Sequence, residues 1–284
     1  NSSTTTGYIS VTSDNPNLFL PADMLTAIGG SGTARTLTLK HQPFATGVAN
    51  VTVTIVDAAT NGNSTTYTFR VEVVPSPNYY WSILAGSTAG TAGSTNGTGT
   101  AASFSAPAGI ARDSLGNLFV ADGSNYVIRK ITPAGVVSTF AGTAGASGNT
   151  NGTGSAARFS NMEGLTIDSQ DNLYLADYAN NLIRKIDKNG VVTTLAGTGV
   201  AGGLDGSATT ATFNRPIGIA VTPTGVVYVS DRSGHTIRKI ESGVVSTVAG
   251  LYNTPGNVDA VGTAARFNLP SHMSYQADNS LLIR

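Results

Sequence analysis

The chain has 284 residues, 16 basic and 16 acidic side chains, and no cysteine. A neutral chain without a basic stretch speaks against nucleic acid or an anionic membrane as partner, because both depend on clustered Lys and Arg. Without Cys there are no disulfides, thiolate metal sites or Cys nucleophile, and no apolar run approaches the ~18 residues of a membrane helix. Charged residues make up only 11%, against about 25% in ordinary soluble domains. With 34 glycines and abundant Thr and Asn, this composition leans towards the outside of a cell.

The first 75 residues read as strands. Apolar and polar residues alternate over 8–13, 36–40, 51–56 and 65–74. In the last of these, Tyr67, Phe69, Val71 and Val73 share one face, and Thr68, Arg70 and Glu72 the other. Period-two alternation is the mark of half-buried strands in a sandwich. Ser13-Asp14-Asn15-Pro16, the run from Gly30 to Thr38 and the run from Asn50 to Asp57 resemble bacterial Ig-like or cadherin-like modules. That resemblance implies a β-sandwich at 1–75 lacking its opening strands. Pro75-Ser76-Pro77-Asn78 reads as a short stiff linker between the two regions, which is bounded at 76–80.

From residue 81 the chain repeats. The Gly of an Ala-Gly pair falls at 86, 142, 197 and 250, and Ile-Arg-Lys recurs at Arg129, Arg184 and Arg238. An Asp precedes each Arg by seven residues, at Asp122, Asp177 and Asp231, and a Phe opens each repeat core at 104, 159, 213 and 267. In the first repeat, apolar runs at 107–111, 118–121, 127–131 and 136–141 are separated by turn-formers. Runs of this length, bounded by Gly, Pro and Asn, predict strands. Leu118 and Val120 face one way and Phe119 and Ala121 the other, so both faces of each sheet must be covered. Four-stranded antiparallel sheets stacked around an axis satisfy this, which predicts a β-propeller. Residues 107–112 are expected innermost and 136–140 outermost. By the same alignment 81–85 is an outermost strand, and no long helix is expected in 81–284.

The pattern Pro107-Ala-Gly-Ile-Ala, Asn117-Leu-Phe-Val-Ala-Asp, Asn125-Tyr-Val-Ile-Arg-Lys-Ile, then Gly135-Val-Val-Ser-Thr-Phe-Ala-Gly resembles the NHL repeat. The loops ending Ala157-Arg158-Phe159 and Ala265-Arg266-Phe267 look like those of bacterial surface and secreted NHL proteins. The resemblance implies a propeller, used for binding and sometimes carrying an enzyme site in its channel. Together the two resemblances describe an all-β chain: an Ig-like β-sandwich followed by an NHL-type β-propeller, incomplete within this chain.

Chemical motifs are sparse. Gly197-Thr-Gly199-Val-Ala-Gly202 has the spacing of a dinucleotide fingerprint but is followed by no helix, and a Gly-rich loop fills that slot in every repeat. His41 falls in the Ig-like region, and His235 in a variable slot shared with Tyr126 and Asn181 where a surface role is expected. Glu163 and His272 are the two inner-strand residues that could face the channel; His272 takes the place of Gly109, Gly164 and Gly218. The repeated Asp and Arg read as structural, with the Arg partly buried and needing an acceptor. Sequons stand at Asn50, Asn63, Asn96 and Asn151, and at Asn1.

The expected function is a non-enzymatic extracellular or cell-surface scaffold, adhesion or fibre-forming protein of bacterial type. It needs no cofactor or metal and contacts protein or glycan. The alternative is a propeller lyase or hydrolase with a metal in the channel. The long Gly-rich loops, 86–103, 142–158, 197–212 and 250–266, are expected without regular structure, and their face, rather than the channel, is expected to make the contacts. At 55 residues per repeat, 81–284 holds about 3.7 repeats. Further chain, or strands from neighbouring copies, is therefore expected to close the ring.

Overall fold

The computed structural model describes residues 8–19, 27–29, 36–38, 47–56, 64–73 and 82–284. The chain divides into two compact units, Asn1–Trp81 and Ser82–Arg284.

In the first unit β1 (Tyr8–Ser13), β4 (Gly47–Val56) and β5 (Ser64–Val73) form an antiparallel sheet in the order β1-β4-β5. A separate hairpin pairs β2 (Ala27–Gly29) with β3 (Thr36–Thr38). The core is small: Leu18, Phe19, Ala49 and Val51, with Val11, Val71 and Val73 against it. Among the described residues the alternating face of β5 is packed only towards Val71 and Val73; Tyr67 is 60% and Phe69 42% exposed. The polar side of the sheet carries cross-strand hydroxyl pairs, Thr52–Thr68 and Thr54–Thr66. His41, Asn63 and the linker 76–80 lie outside the described residues.

The second unit is built of blades. In blade 1, β7 (Pro107–Arg112), β8 (Leu118–Asp122), β9 (Val127–Ile131) and β10 (Val136–Gly142) pair in sequence. Blade 2 repeats this with β12 (Leu165–Ile167), β13 (Leu173–Asp177), β14 (Leu182–Ile186) and β15 (Val191–Ala196). Blade 3 has β17 (Pro216–Val221), β18 (Val227–Asp231), β19 (Thr236–Glu241) and β20 (Val244–Gly250). A fourth begins with β21 (Met273–Tyr275) and β22 (Leu281–Ile283). The only helices described in this unit are three-residue 3₁₀ turns.

Four expectations are corrected. Blades 1–3 have five strands, not four, because the preceding Gly-rich loop adds two residues outside the fourth strand: β6 (Gly97–Thr98), β11 (Gly152–Thr153) and β16 (Gly206–Ser207). Residues 136–140 are therefore not outermost: Val136 pairs with Thr98 and Val137 with Gly97. The loops are accordingly partly regular, and two residues are too short a run to show as a strand in a sequence. Finally, 82–85 form no strand, and Ile83 and Leu84 are exposed. Among the described residues no strand pairs with this segment.

Both faces of blade 2 are covered by stacking, while the other face of blade 1 packs Val120, Ile131 and Val137 against Ala85, Ala102 and Phe104. Phe119, Ala121 and Ile128 of blade 1 pack with Phe159, Leu173 and Leu175 of the second repeat. Tyr174 and Ile183 do the same with Ile219, Val227 and Val229 of blade 3. The inner strands sit side by side. Gly109 N–H donates to Glu163 O at 2.9 Å, and Gly164 N–H to Ile217 O at 3.0 Å. A Cβ on Gly164 would collide with that carbonyl, and one on Gly109 with Leu165 backbone, so only Gly permits this approach.

Candidate functional site: the axial mouth

Two sets of polar residues need separating. The first recurs in every blade. Arg129, Arg184 and Arg238 are fully buried rather than partly so, as are Asp122, Asp177 and Asp231. Each Arg NH1 meets the Asp Oδ2, at 3.0, 2.8 and 3.3 Å, and also a loop carbonyl, Ser103 O, Arg158 O or Thr212 O. Each NH2 reaches Thr95 O, Thr150 O or Leu204 O, and one further side chain: Asn96 Oδ1 at 2.9 Å, Asn151 Oδ1 at 2.8 Å or Asp205 Oδ1 at 2.6 Å. A Phe ring lies 5.1–5.3 Å from each guanidinium carbon: Phe104, Phe159 and Phe213. The Asp Oδ1 accepts the backbone N–H of Ser105, Ser160 or Asn214. A buried charge with this many partners is a fastener that ties the Gly-rich loop to its blade.

The third member of this network was missed in the sequence. It stands 33 residues before its Arg in every blade, and in the sequence Asn96 and Asn151 show only as sequons. A constant spacing, with Asp205 as the carboxylate variant, was the signal available. Asn50, the other described sequon, donates its Nδ2 to Asp14 Oδ2 at 2.7 Å.

Blade 3 departs from the pattern at one more place. Asn125 Nδ2 and Asn180 Nδ2 each donate to the Oδ2 of their Asp, at 2.8 and 2.9 Å, but the third slot holds Gly234. Asp231 lacks that donor and shares Arg238 with Asp205. Burial pushes its carboxyl up to about 6. Burial also raises Asp177, with the Asn180 amide, the Ser160 N–H and Arg184 opposing it.

The second set does not recur. One slot on the inner strand holds Ala108, Glu163, Ile217 and Ser271; the next holds Gly109, Gly164, Gly218 and His272. The residue after the repeated Asp is Gly123, Tyr178 or Arg232. Where these slots depart from small or apolar residues, the side chains gather at one place. Glu163, Tyr178, Arg232 and His272 line a single pocket of ≈ 510 Å³ with Asn161, Ile217, Leu269, Ser271 and Arg284. The structure thus brings together Glu163 and His272, the two channel candidates, and adds Arg232. Desolvation raises the Glu163 carboxyl, while the charges of His272 and Arg232 pull it down. His235 is elsewhere: half-buried, its Nδ1 accepts Leu269 N–H at 3.1 Å, a backbone tie like that from Arg215 N–H to Asn181 Oδ1.

The mouth opens beside the Gly-rich loops. Each loop ends just before an inner strand, and the 3₁₀ turn after the second strand returns to that point: Gly123 N–H to Ala106 O, Ala179 N–H to Ser160 O, Ser233 N–H to Asn214 O. Among the described residues no three His, Asp or Glu side chains are grouped as a metal would need. No helix of the described residues is long and apolar enough to cross a membrane.

Residues 213–240 match the NHL repeat. NHL repeat-containing protein 2 of Bos taurus is 36% identical over 154 residues, covering 49% of this chain and 21% of that protein. The chloroplastic protein SUPPRESSOR OF QUENCHING 1 of Arabidopsis thaliana is 35% identical over 95 residues, 33% of this chain and 9% of that one. The chain spans about a fifth or less of the length of these relatives. Among solved structures, an auxiliary nutrient binding protein from Bacteroides ovatus superposes with a TM-score of 0.51 at 15% identity, over 82% of this chain and 53% of that one. At that identity the likeness concerns fold alone. This chain carries an NHL repeat in an all-β, propeller-like unit.

Proposed function

We propose that the chain is a non-enzymatic binding module of an extracellular or cell-surface protein, which engages a protein or glycan through the loop face of its propeller, centred on the axial mouth. One observation carries this reading: the side chains by which the blades differ converge on a single pocket, while those that repeat are consumed in fastening the loops. Structural needs are the same in every blade and select the same residues; a ligand on the axis meets each blade differently. The low charge and the Thr, Gly and Asn content support a setting outside the cell, and the resemblance of the loops ending Ala157-Arg158-Phe159 and Ala265-Arg266-Phe267 to those of bacterial surface NHL proteins supports a bacterial one. The resemblance of residues 1–75 to Ig-like modules supports a role in adhesion or in fibres. The test is a glycan array and a panel of extracellular proteins, with each hit mapped by hydrogen exchange. Protection is expected at Asn161–Glu163, around Arg232 and at the loop ends; protection confined to the opposite face overturns the proposal.

A second reading has one observation in its favour. Glu163, its carboxyl raised by burial, shares the pocket with His272, and such a pair suits acid–base chemistry of a lyase or hydrolase. Turnover of any hit that Glu163→Gln abolishes while binding persists selects this reading.

A further inference from the structure

Glu163, Arg232 and His272 surround one pocket, yet among the described residues they form no ion pair or side-chain hydrogen bond with one another. Their charges act on each other only through space. Glu163 is half-buried, and the desolvation of its charge outweighs the pull of His272 and Arg232, neither of which bonds to it. Elsewhere in this unit a desolvated carboxylate is matched with care: Asp177 receives Ser160 N–H, Asn180 Nδ2 and Arg184 NH1. The contrast marks Glu163 as an acceptor whose donor comes from outside the chain.

The same pocket holds groups with the reverse need. Arg232 brings a guanidinium fork, suited to a carboxylate, and His272 and Arg284 can add further donors. Tyr178, Ile217 and Leu269 complete the lining with apolar surface. The volume, ≈ 510 Å³, falls in the range of small-molecule sites, about 300–1,000 Å³.

We propose that the axial mouth binds a small zwitterion, an α-amino acid or dipeptide, with its ammonium on Glu163, its carboxylate on Arg232 and His272, and its side chain against Tyr178 and Ile217. This names the ligand class of the site in the binding reading above and rests on that reading. An anion alone would leave Glu163 unmatched, and a cation alone would leave Arg232 so. Only a molecule with both poles satisfies both sides at once.

The experiment is a chemical cycle on the 284-residue chain by calorimetry. The probes are L-leucine, leucyl-leucine, leucinamide and N-acetyl-leucine; the variants are Glu163→Gln and Arg232→Gln. Saturable binding of leucine or leucyl-leucine is expected. N-acetyl-leucine, which lacks the ammonium, should bind wild type at least about tenfold more weakly than leucine, the scale of one hydrogen bond to a charged group. Glu163→Gln should abolish that discrimination. Leucinamide should behave likewise with respect to Arg232→Gln. Thermal melting confirms folding, and Glu163→Asp, which keeps the charge, should restore the preference for the free amine. The inference is overturned by absence of saturable binding for all four probes, or by discrimination that neither substitution alters. That outcome, with a macromolecular partner still protecting the mouth from exchange, removes the zwitterion and leaves the binding face. A partner that protects only the other face removes the reading beneath it.

Discussion

The blade interior and the axial mouth are made from the same repeated segments by opposite rules. Inside each blade an Asp and an Arg recur at a fixed spacing and bury completely as an ion pair, and an exposed Asn or Asp of the loop binds the same guanidinium. At the mouth the same chain positions differ from blade to blade, and their polar groups face an open pocket. The difference teaches how to divide a repeat protein. A residue present in every blade answers a need that every blade has; a residue present once answers something outside the blades. Stability should therefore follow the first set and ligand binding the second.

The harshest way to break this division is to remove one fastener. Arg184→Ala leaves Asp177 charged and buried, Asn151 Oδ1 without its guanidinium donor, and the carbonyls of Thr150 and Arg158 short of one as well. Removing one partner of a buried ion pair costs about 3–5 kcal/mol. Urea denaturation should show that loss. Hydrogen exchange should show the loop 142–158 deprotected ahead of the strands. A loss below about 1 kcal/mol with an unchanged loop would mean the network is ornamental.

Next in size is pH, through the blade whose network is incomplete. Asp231 has its carboxyl raised by burial to about 6, against 3.8 for the free residue. The folded chain therefore holds a proton there that the unfolded chain has released. The stability contributed by this group is fully present below about pH 4 and is lost as pH rises through about 6. By linkage the whole swing is at most on the order of 3 kcal/mol. Asp231→Asn should remove the slope: the stability difference between wild type and variant, followed from pH 4 to 7, should change over that window and then level off. A difference independent of pH defeats the assignment.

Third comes the spacing between blades. Gly164→Ala places a Cβ on the Ile217 carbonyl, and overpacking of this kind costs about 1–3 kcal/mol. At the matching slot His272 already carries a large exposed side chain, so His272→Gly should cost little more than the backbone freedom of Gly, up to about 1 kcal/mol. Equal losses at both positions would show that the slots are not the two kinds of place described above.

The same distinction explains what the sequence disclosed. Strands, blade order and stacking were legible because periodicity reports burial on both sheet faces, as Phe119 and Val120 illustrate. The Asp–Arg pair was legible because it recurs within seven residues. Its third partner was hidden by 33 residues of loop, and the fifth strand by its length of two residues. The exposure of Tyr67 on β5 was also unreadable, since alternation gives a face but not what lies over it. Glu163 and His272 stood out as departures from the repeat, whereas Arg232 did not. Its slot follows the repeated Asp in a turn, and only the three-dimensional path of that turn brings it to the axis.

The smallest expected effect is also the most discriminating. Glu163→Gln keeps the shape of the side chain and removes a charge that the fold partly desolvates. Because burial raises the Glu163 carboxyl, its charged form is held less comfortably in the folded chain than in the unfolded one. Its contribution to stability is therefore greatest at low pH and is lost as pH rises through its raised folded value. At neutral pH the Gln variant should be as stable as wild type, or slightly more so, with a change within about 0.5 kcal/mol. The urea slope should be unchanged, because the surface exposed on unfolding is the same. Arg232→Gln should be similarly mild, since no protein carboxylate within ion-pairing distance is left behind among the described residues. Set beside Arg184→Ala, the pair gives the comparison its sharpest form. Two arginines, one repeated in every blade and one unique, are expected to differ by about 3 kcal/mol or more in what their loss costs the fold. If Glu163→Gln or Arg232→Gln unfolds the chain as Arg184→Ala does, the mouth is one more fastener, and the distinction between repeated and unique residues loses its functional meaning.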